Sequence, residues 1–164
     1  MIPRIHFAHL PTPIEELPRL TKYLNGPKIL VKRDDQTGLA FGGNKTRKLE
    51  FFVAEALEQG AQMLISAGAL QSNHCRQTAA AAARFGLDCT LVLSGEMPDE
   101  PSANLLLDQM FGAEIVTVAE DHLDAGHRVG DVPLVGGHDH RFTLEHAADN
   151  RLGRTGHQGH VQPD

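Results

Sequence analysis

Lys45 sits in the run Gly42-Gly43-Asn44-Lys45-Thr46-Arg47-Lys48-Leu49-Glu50, where its type and its spacing from its neighbours suit covalent chemistry. A helix starting near Asn44 turns about 100° per residue, which puts Lys45 in line with Leu49, Phe52 and Ala56. Arg47 and Glu50 then fall on the opposite, solvated side, with Lys48 at the edge. An ammonium turned toward a core is costly unless it is paired, covalently bound or deprotonated. The helix N-terminus also disfavours positive charge. Both effects favour the neutral, nucleophilic amine that a Schiff-base lysine uses. The same pattern fits a first-turn lysine whose stem snorkels out to water.

A second constellation is the loop Ser66-Ala67-Gly68-Ala69-Leu70-Gln71-Ser72-Asn73-His74. It follows an apolar strand and opens a helix, so its backbone N–H groups form an anion site. Ser72 and Asn73 add donors suited to a carboxylate or a phenolate oxygen, or one of them simply caps the helix. His74 has a ring that ordinarily titrates near neutrality, which suits it to handling a proton or to facing solvent. Cys75 at the helix start is either a thiol of lowered pKa or a small filler. The loop lacks the G-x-G-x-x-G spacing of a dinucleotide site.

The elements that must position these residues alternate. Pro13 to Leu24 carries Ile14, Leu17, Leu20 and Leu24 at helical spacing, with Pro18 limiting its start. Lys28–Lys32 reads as a short strand. The lysine helix spans about Asn44 to Glu58 and stops at Gly60. Apolar strands at Met63–Ser66, Cys89–Leu93 and Glu114–Val118 alternate with helices at Ser72–Phe85 and Ser102–Phe111. Ala79 to Ala83 is scaffold that favours helix and close approach to a sheet. Continuous apolar strands about 25 residues apart predict an α/β fold of parallel β-α-β units covered on both faces, with right-handed crossovers.

Composition narrows the partners. Fifteen basic against 21 acidic side chains argue against nucleic acid, which needs clustered positive charge. No run approaches the roughly 20 apolar residues that cross a bilayer, and the N-terminus lacks the apolar core of a signal peptide. Two cysteines, Cys75 and Cys89, cannot build a disulfide framework, so a reducing compartment, the cytoplasm, is expected.

The character changes near Asp121: seven of the ten histidines follow it, among glycines, and amphipathic periodicity fades. His138 and His140 form an H-x-H pair, but without a cysteine or a fixed geometry no metal site is expected. Residues 1–120 thus read as one unit, and 121–164 as an atypical His/Gly-rich tail, disordered or aberrant.

The run 42–50, followed by Ser66 to Ala80, resembles the pyridoxal-phosphate family of D-cysteine desulfhydrase and 1-aminocyclopropane-1-carboxylate (ACC) deaminase. His9-Leu10-Pro11-Thr12-Pro13-Ile14-Glu15 and Val31-Lys32-Arg33-Asp34-Asp35 fit the same family, so the likeness covers roughly Ile5 to Val118. The resemblance implies the fold-type II architecture of the tryptophan synthase β-subunit group. It implies pyridoxal phosphate as cofactor, Lys45 and not Lys48 as the Schiff-base lysine, and Asn73 beside the cofactor's phenolic oxygen. Ser72, Asn73 and His74 correspond to the loop that receives the substrate carboxylate, and Asn44 helps to shape the lysine's turn.

Ser-Asn-His followed by Cys-Arg-Gln-Thr is more similar to the desulfhydrase and L-cysteate sulfo-lyase branches, since the deaminase branch more often has glutamine in place of His74. The implied activity is β-elimination from a cysteine-like amino acid, giving pyruvate, ammonia and sulfide, in a homodimer. The family's phosphate loop, the group facing its pyridine nitrogen and its catalytic tyrosines lie in its later half. Val135-Gly136-Gly137 resembles only one short element of that half. The expectation is therefore a truncated chain, either a weak lyase or a non-catalytic fragment.

Overall fold

The structure, a computed structural model, describes residues 2–119 and 141–143. Its centre is a four-stranded sheet, with β3 (Met63–Ala69), β4 (Asp88–Ser94), β5 (Glu114–Val118) and β6 (Arg141–Thr143) in the order β5-β4-β3-β6. Every pairing in it is parallel, with Leu64 opposite Cys89 and Leu91 opposite Ile115. The three strands expected to be parallel are so. Strand β6 falls within the stretch read as tail; the remainder of 121–164, His138 and His140 included, lies outside the described residues.

Helices α2 (Lys45–Glu58), α3 (Asn73–Phe85) and α4 (Ala103–Met110) connect or precede these strands. Leu49, Phe52, Val53 and Ala56 of α2 and Ala79, Ala81 and Ala82 of α3 pack on Leu64, Leu91 and Leu93. Alanine on α3 lets its backbone come close to the sheet without steric conflict. Met63, Ile65 and Val92 point to the other face, as the period of two requires. All three helices contribute to the Leu64 face and none to the Met63 cluster, so helical cover is one-sided among the described residues. Strands β3, β4 and β5 are added in one direction, and right-handed crossovers in one direction stack on one face.

Two expectations need correction. Ile14–Glu16 is not helical: it forms β1 and pairs antiparallel with β2 (Leu30–Lys32), while α1 spans only Pro18–Leu24. Pro18 occupies the first helical position, where its fixed φ and missing N–H suit a start and not an interior. The strand at 28–32 consequently belongs to this separate two-stranded sheet.

Glu50 is also not solvated. It is fully buried: Oε1 accepts the N–H groups of Phe7 and Ala8 at 2.8 Å each, and Oε2 accepts from Arg4 at 2.6 Å. The N-terminal segment lies over this face of α2. Among the described residues no helix is long and apolar enough to cross a membrane.

Candidate active site

The lysine turn is held by buried hydroxyls and one buried amide. Thr37 Oγ1 accepts from Gly43 N at 2.9 Å, and Gly43 N also donates to Asp34 O at 2.8 Å. Gln77, on the second turn of α3, accepts from Thr46 N at 2.7 Å and from Thr46 Oγ1 at 2.6 Å. Its Nε2 donates to Asn73 O at 3.1 Å. Gly43 has φ +134°, and a Cβ there would stand 2.4 Å from Gln77 Nε2, so glycine lets the turn close on the amide. The start of α2 is thereby seated against the start of α3.

Lys45 is half-buried on that turn, and Lys48 is exposed one turn on, its ammonium 5.8 Å from the Phe52 ring centre. His74 is half-buried at the start of α3, and its Nδ1 is buried without a hydrogen-bond partner among the described residues. Burial, with the charges of Lys48 and Lys45, pushes the His74 pKa down to about 4. The ring is therefore neutral at pH 7 and titrates far from the range expected of a physiological proton shuttle. Although Lys48 is exposed overall, partial desolvation of its ammonium, with the charge of Lys45, lowers its pKa too.

Ser72 caps α3 by accepting Cys75 N at 3.3 Å, which leaves its O–H free to donate. Asn73 is exposed, with its carbonyl taken by Gln77 and its side-chain amide free of bonds to the other described residues. Asn44 stands at the cap position of α2 without a side-chain capping bond, so Thr37 and Gln77 hold that turn. Cys75 is fully buried and burial pushes its thiol up to about 11, which removes it as a nucleophile. Arg47 does not extend freely into water: it pairs with Asp34 at 2.7 Å and donates to Thr12 Oγ1 at 2.8 Å.

Sequence reasoning missed Thr37, Thr46, Gln77 and Arg76. Arg76 donates to Gly42 O and to Asn104 Oδ1, each at 2.8 Å, joining the glycine turn to α4. The only local signal was the polarity of Thr46 and Gln77 at positions that face the core. A groove lined by Gly95, Glu96, Met97, Thr117, Val118 and Ala119 opens at the ends of β4 and β5, but among the described residues it is lined by no amine, thiol or imidazole. Among the described residues no group of three His, Cys, Asp or Glu side chains is placed to bind a metal.

A family model described as pyridoxal-phosphate dependent enzyme matches residues 5–161. The chain belongs to this family. Within it, the D-cysteine desulfhydrase of Salmonella typhimurium strain LT2 is 52% identical over 118 residues, covering 69% of this chain and 36% of that protein. The D-cysteine desulfhydrase of Salmonella paratyphi B is 51% identical over the same shares. A solved structure described as an ACC deaminase homologue superposes with a TM-score of 0.70 at 34% identity, covering 87% of this chain and 44% of that one. The chain thus spans about a third of the length of the curated relatives it matches.

The residues present suit the cofactor after which this pyridoxal-phosphate family is named. An aldehyde needs an amine, and Lys45 offers one at a half-buried turn. An anion needs donors, and Ser72 O–H, the Asn73 amide, the start of α3 and the Lys48 charge supply them. The orphaned Nδ1 of His74 is a buried polar atom still lacking a partner.

Proposed function

We propose that this chain carries the lysine half of a pyridoxal-phosphate lyase that performs β-elimination on a cysteine-like amino acid, in the manner of a D-cysteine desulfhydrase. Lys45 is its catalytic residue, Asn44 and Asn73 serve the cofactor, and Ser72, Asn73 and His74 receive the substrate carboxylate. The observation that carries this reading is the Gln77 amide, which bonds both to Thr46, next to Lys45, and to the Asn73 carbonyl, and so makes the starts of α2 and α3 one site. Identity of 52% to a D-cysteine desulfhydrase supports that substrate class over ACC, since the deaminase homologue is 34% identical. Residues 1–120 form the unit that bears this half of the site. The enzyme acts as a homodimer in the cytoplasm.

Bound pyridoxal phosphate supplies an aldehyde that condenses with amines and an electron sink for charge developing at the substrate Cα. Lys45 Nζ is the amine for that aldehyde. The same Nζ would serve as the base for the Cα proton. Ser72 O–H and the Asn73 amide orient the carboxylate, aided by the exposed N–H groups at the start of α3. Neutral His74 offers a hydrogen bond at no cost in net charge, so it does not compete with Lys48 for the anion. The C–S bond breaks with its electron pair on sulfur. Cysteine and water together become pyruvate, ammonia and hydrogen sulfide.

The test is spectroscopic. The purified chain mixed with pyridoxal phosphate should gain a visible absorbance band that Lys45→Ala abolishes and Lys48→Ala retains. D-cysteine should perturb that band more than ACC does. A band that survives Lys45→Ala would remove Lys45 from its role.

A further inference from the structure

We propose that Gln77 is the positioning residue that sets Lys45 against the Ser72–His74 turn; this rests on the reading of Lys45 as the amine that takes the cofactor. Gln77 is fully buried, and its amide spans the two halves of the site. The Oε1 side receives both the backbone N–H and the hydroxyl of Thr46, the residue next to Lys45. The Nε2 side donates to the carbonyl of Asn73. No other side chain among the described residues bonds both to the residue following Lys45 and to the Ser72–His74 turn.

The pattern demands an amide. Thr46 presents two donors and needs an acceptor, while the Asn73 carbonyl needs a donor. Glutamate would satisfy Thr46 and turn an acceptor on the Asn73 carbonyl. Methionine would fill the volume and leave the Thr46 N–H only its long 3.4 Å bond to the Gly43 carbonyl. Thr37 cannot substitute for it. Its Oγ1 lies 3.2 Å from Thr46 Oγ1 and already serves Gly43 N. Leu49, Val53, Ala79 and Ala82 also pack α2 and α3 into the same core, so part of the stability of this junction is independent of the amide.

The readout is the distribution of a covalent label. The chain is incubated with pyridoxal phosphate, reduced with borohydride and digested, and the ratio of label on Lys45 to label on Lys48 is measured by mass spectrometry. Thermal melting of each variant is followed alongside. In the wild-type chain Lys45 should dominate. Gln77→Met should lower the ratio about tenfold, the scale of one buried hydrogen bond lost. Gln77→Glu, which keeps the acceptor for Thr46, should recover part of it. Thr46→Val removes the hydroxyl bonds to Gln77 and Thr37 but keeps the backbone N–H bond to Gln77; it should lower the ratio less, and it replaces Gln77→Met should that variant not fold. An unchanged ratio in a folded Gln77→Met, or in Thr46→Val where Gln77→Met does not fold, would overturn the proposal and leave Lys45 in its role. Wild-type label chiefly on Lys48 would overturn the Lys45 reading itself, and the inference with it.

Discussion

Arg4 grips the fully buried carboxylate of Glu50 through Nε at 2.8 Å and Nη2 at 2.6 Å. Burial opposes ionisation of Glu50, but the N–H of Ala8, the Arg4 guanidinium and the N–H of Phe7 outweigh it and hold its pKa below the ordinary value of 4.5. Glu50→Ala should cost about 3 kcal/mol in urea unfolding, the low end for breaking a buried pair, because Arg4 is 34% exposed and regains water. Since the folded-state pKa is depressed, this stability is present above pH 4.5 and is lost as pH falls below it. Glu50→Gln should flatten that part of the acid profile.

His74 gives a second pH signature. Its folded pKa of about 4 lies below the ordinary 6.5, so its contribution to stability is present above 6.5 and is lost as pH falls toward 4. An NMR titration of the ring should show no protonation between pH 8 and 5. Lys48→Met should move the midpoint upward by removing the larger of the two nearby charges. A wild-type midpoint near 6.5 would contradict the burial and the charge cluster together.

Glu50 and His74 also mark where local sequence reading stops. The parallel strands Met63–Ala69, Asp88–Ser94 and Glu114–Val118, and the helix Lys45–Glu58, were legible because their apolar periods are long and bounded by glycines. The phase of its own helix singles out Lys45, which is half-buried. Phase places Glu50 opposite Lys45, yet that side is covered by residues 46 positions earlier in the chain. Gln77 reaches Thr46 across 31 positions. His74 is expected to titrate near neutrality because its own helix start shows neither the burial that chiefly prevents it nor the lysines of α2 that add to the effect. Such contacts leave no periodic trace. Ile14–Glu16 was misread for a related reason, since three residues are too few to distinguish strand from helix without their partner strand.

Asp108 is a buried carboxyl with neither oxygen hydrogen-bonded, and burial raises its pKa to about 7 against a smaller opposing effect of Arg76. A raised folded-state pKa means its contribution is fully present below 3.8 and is lost as pH rises through 7. Asp108→Asn, which cannot ionise, should therefore gain in melting temperature relative to wild type as pH goes from 5 to 8. A constant difference across that range would show that Asp108 is not neutral in the folded chain.

Mapping of the covalent attachment point tests the central claim most directly. The wild-type chain, incubated with pyridoxal phosphate, reduced and digested, should yield one dominant modified peptide containing Lys45, with the added mass on that residue. The same peptide should be unmodified in Lys45→Ala, and no other lysine should replace it. Attachment to Lys48, or labelling spread evenly over the surface lysines, would contradict the account.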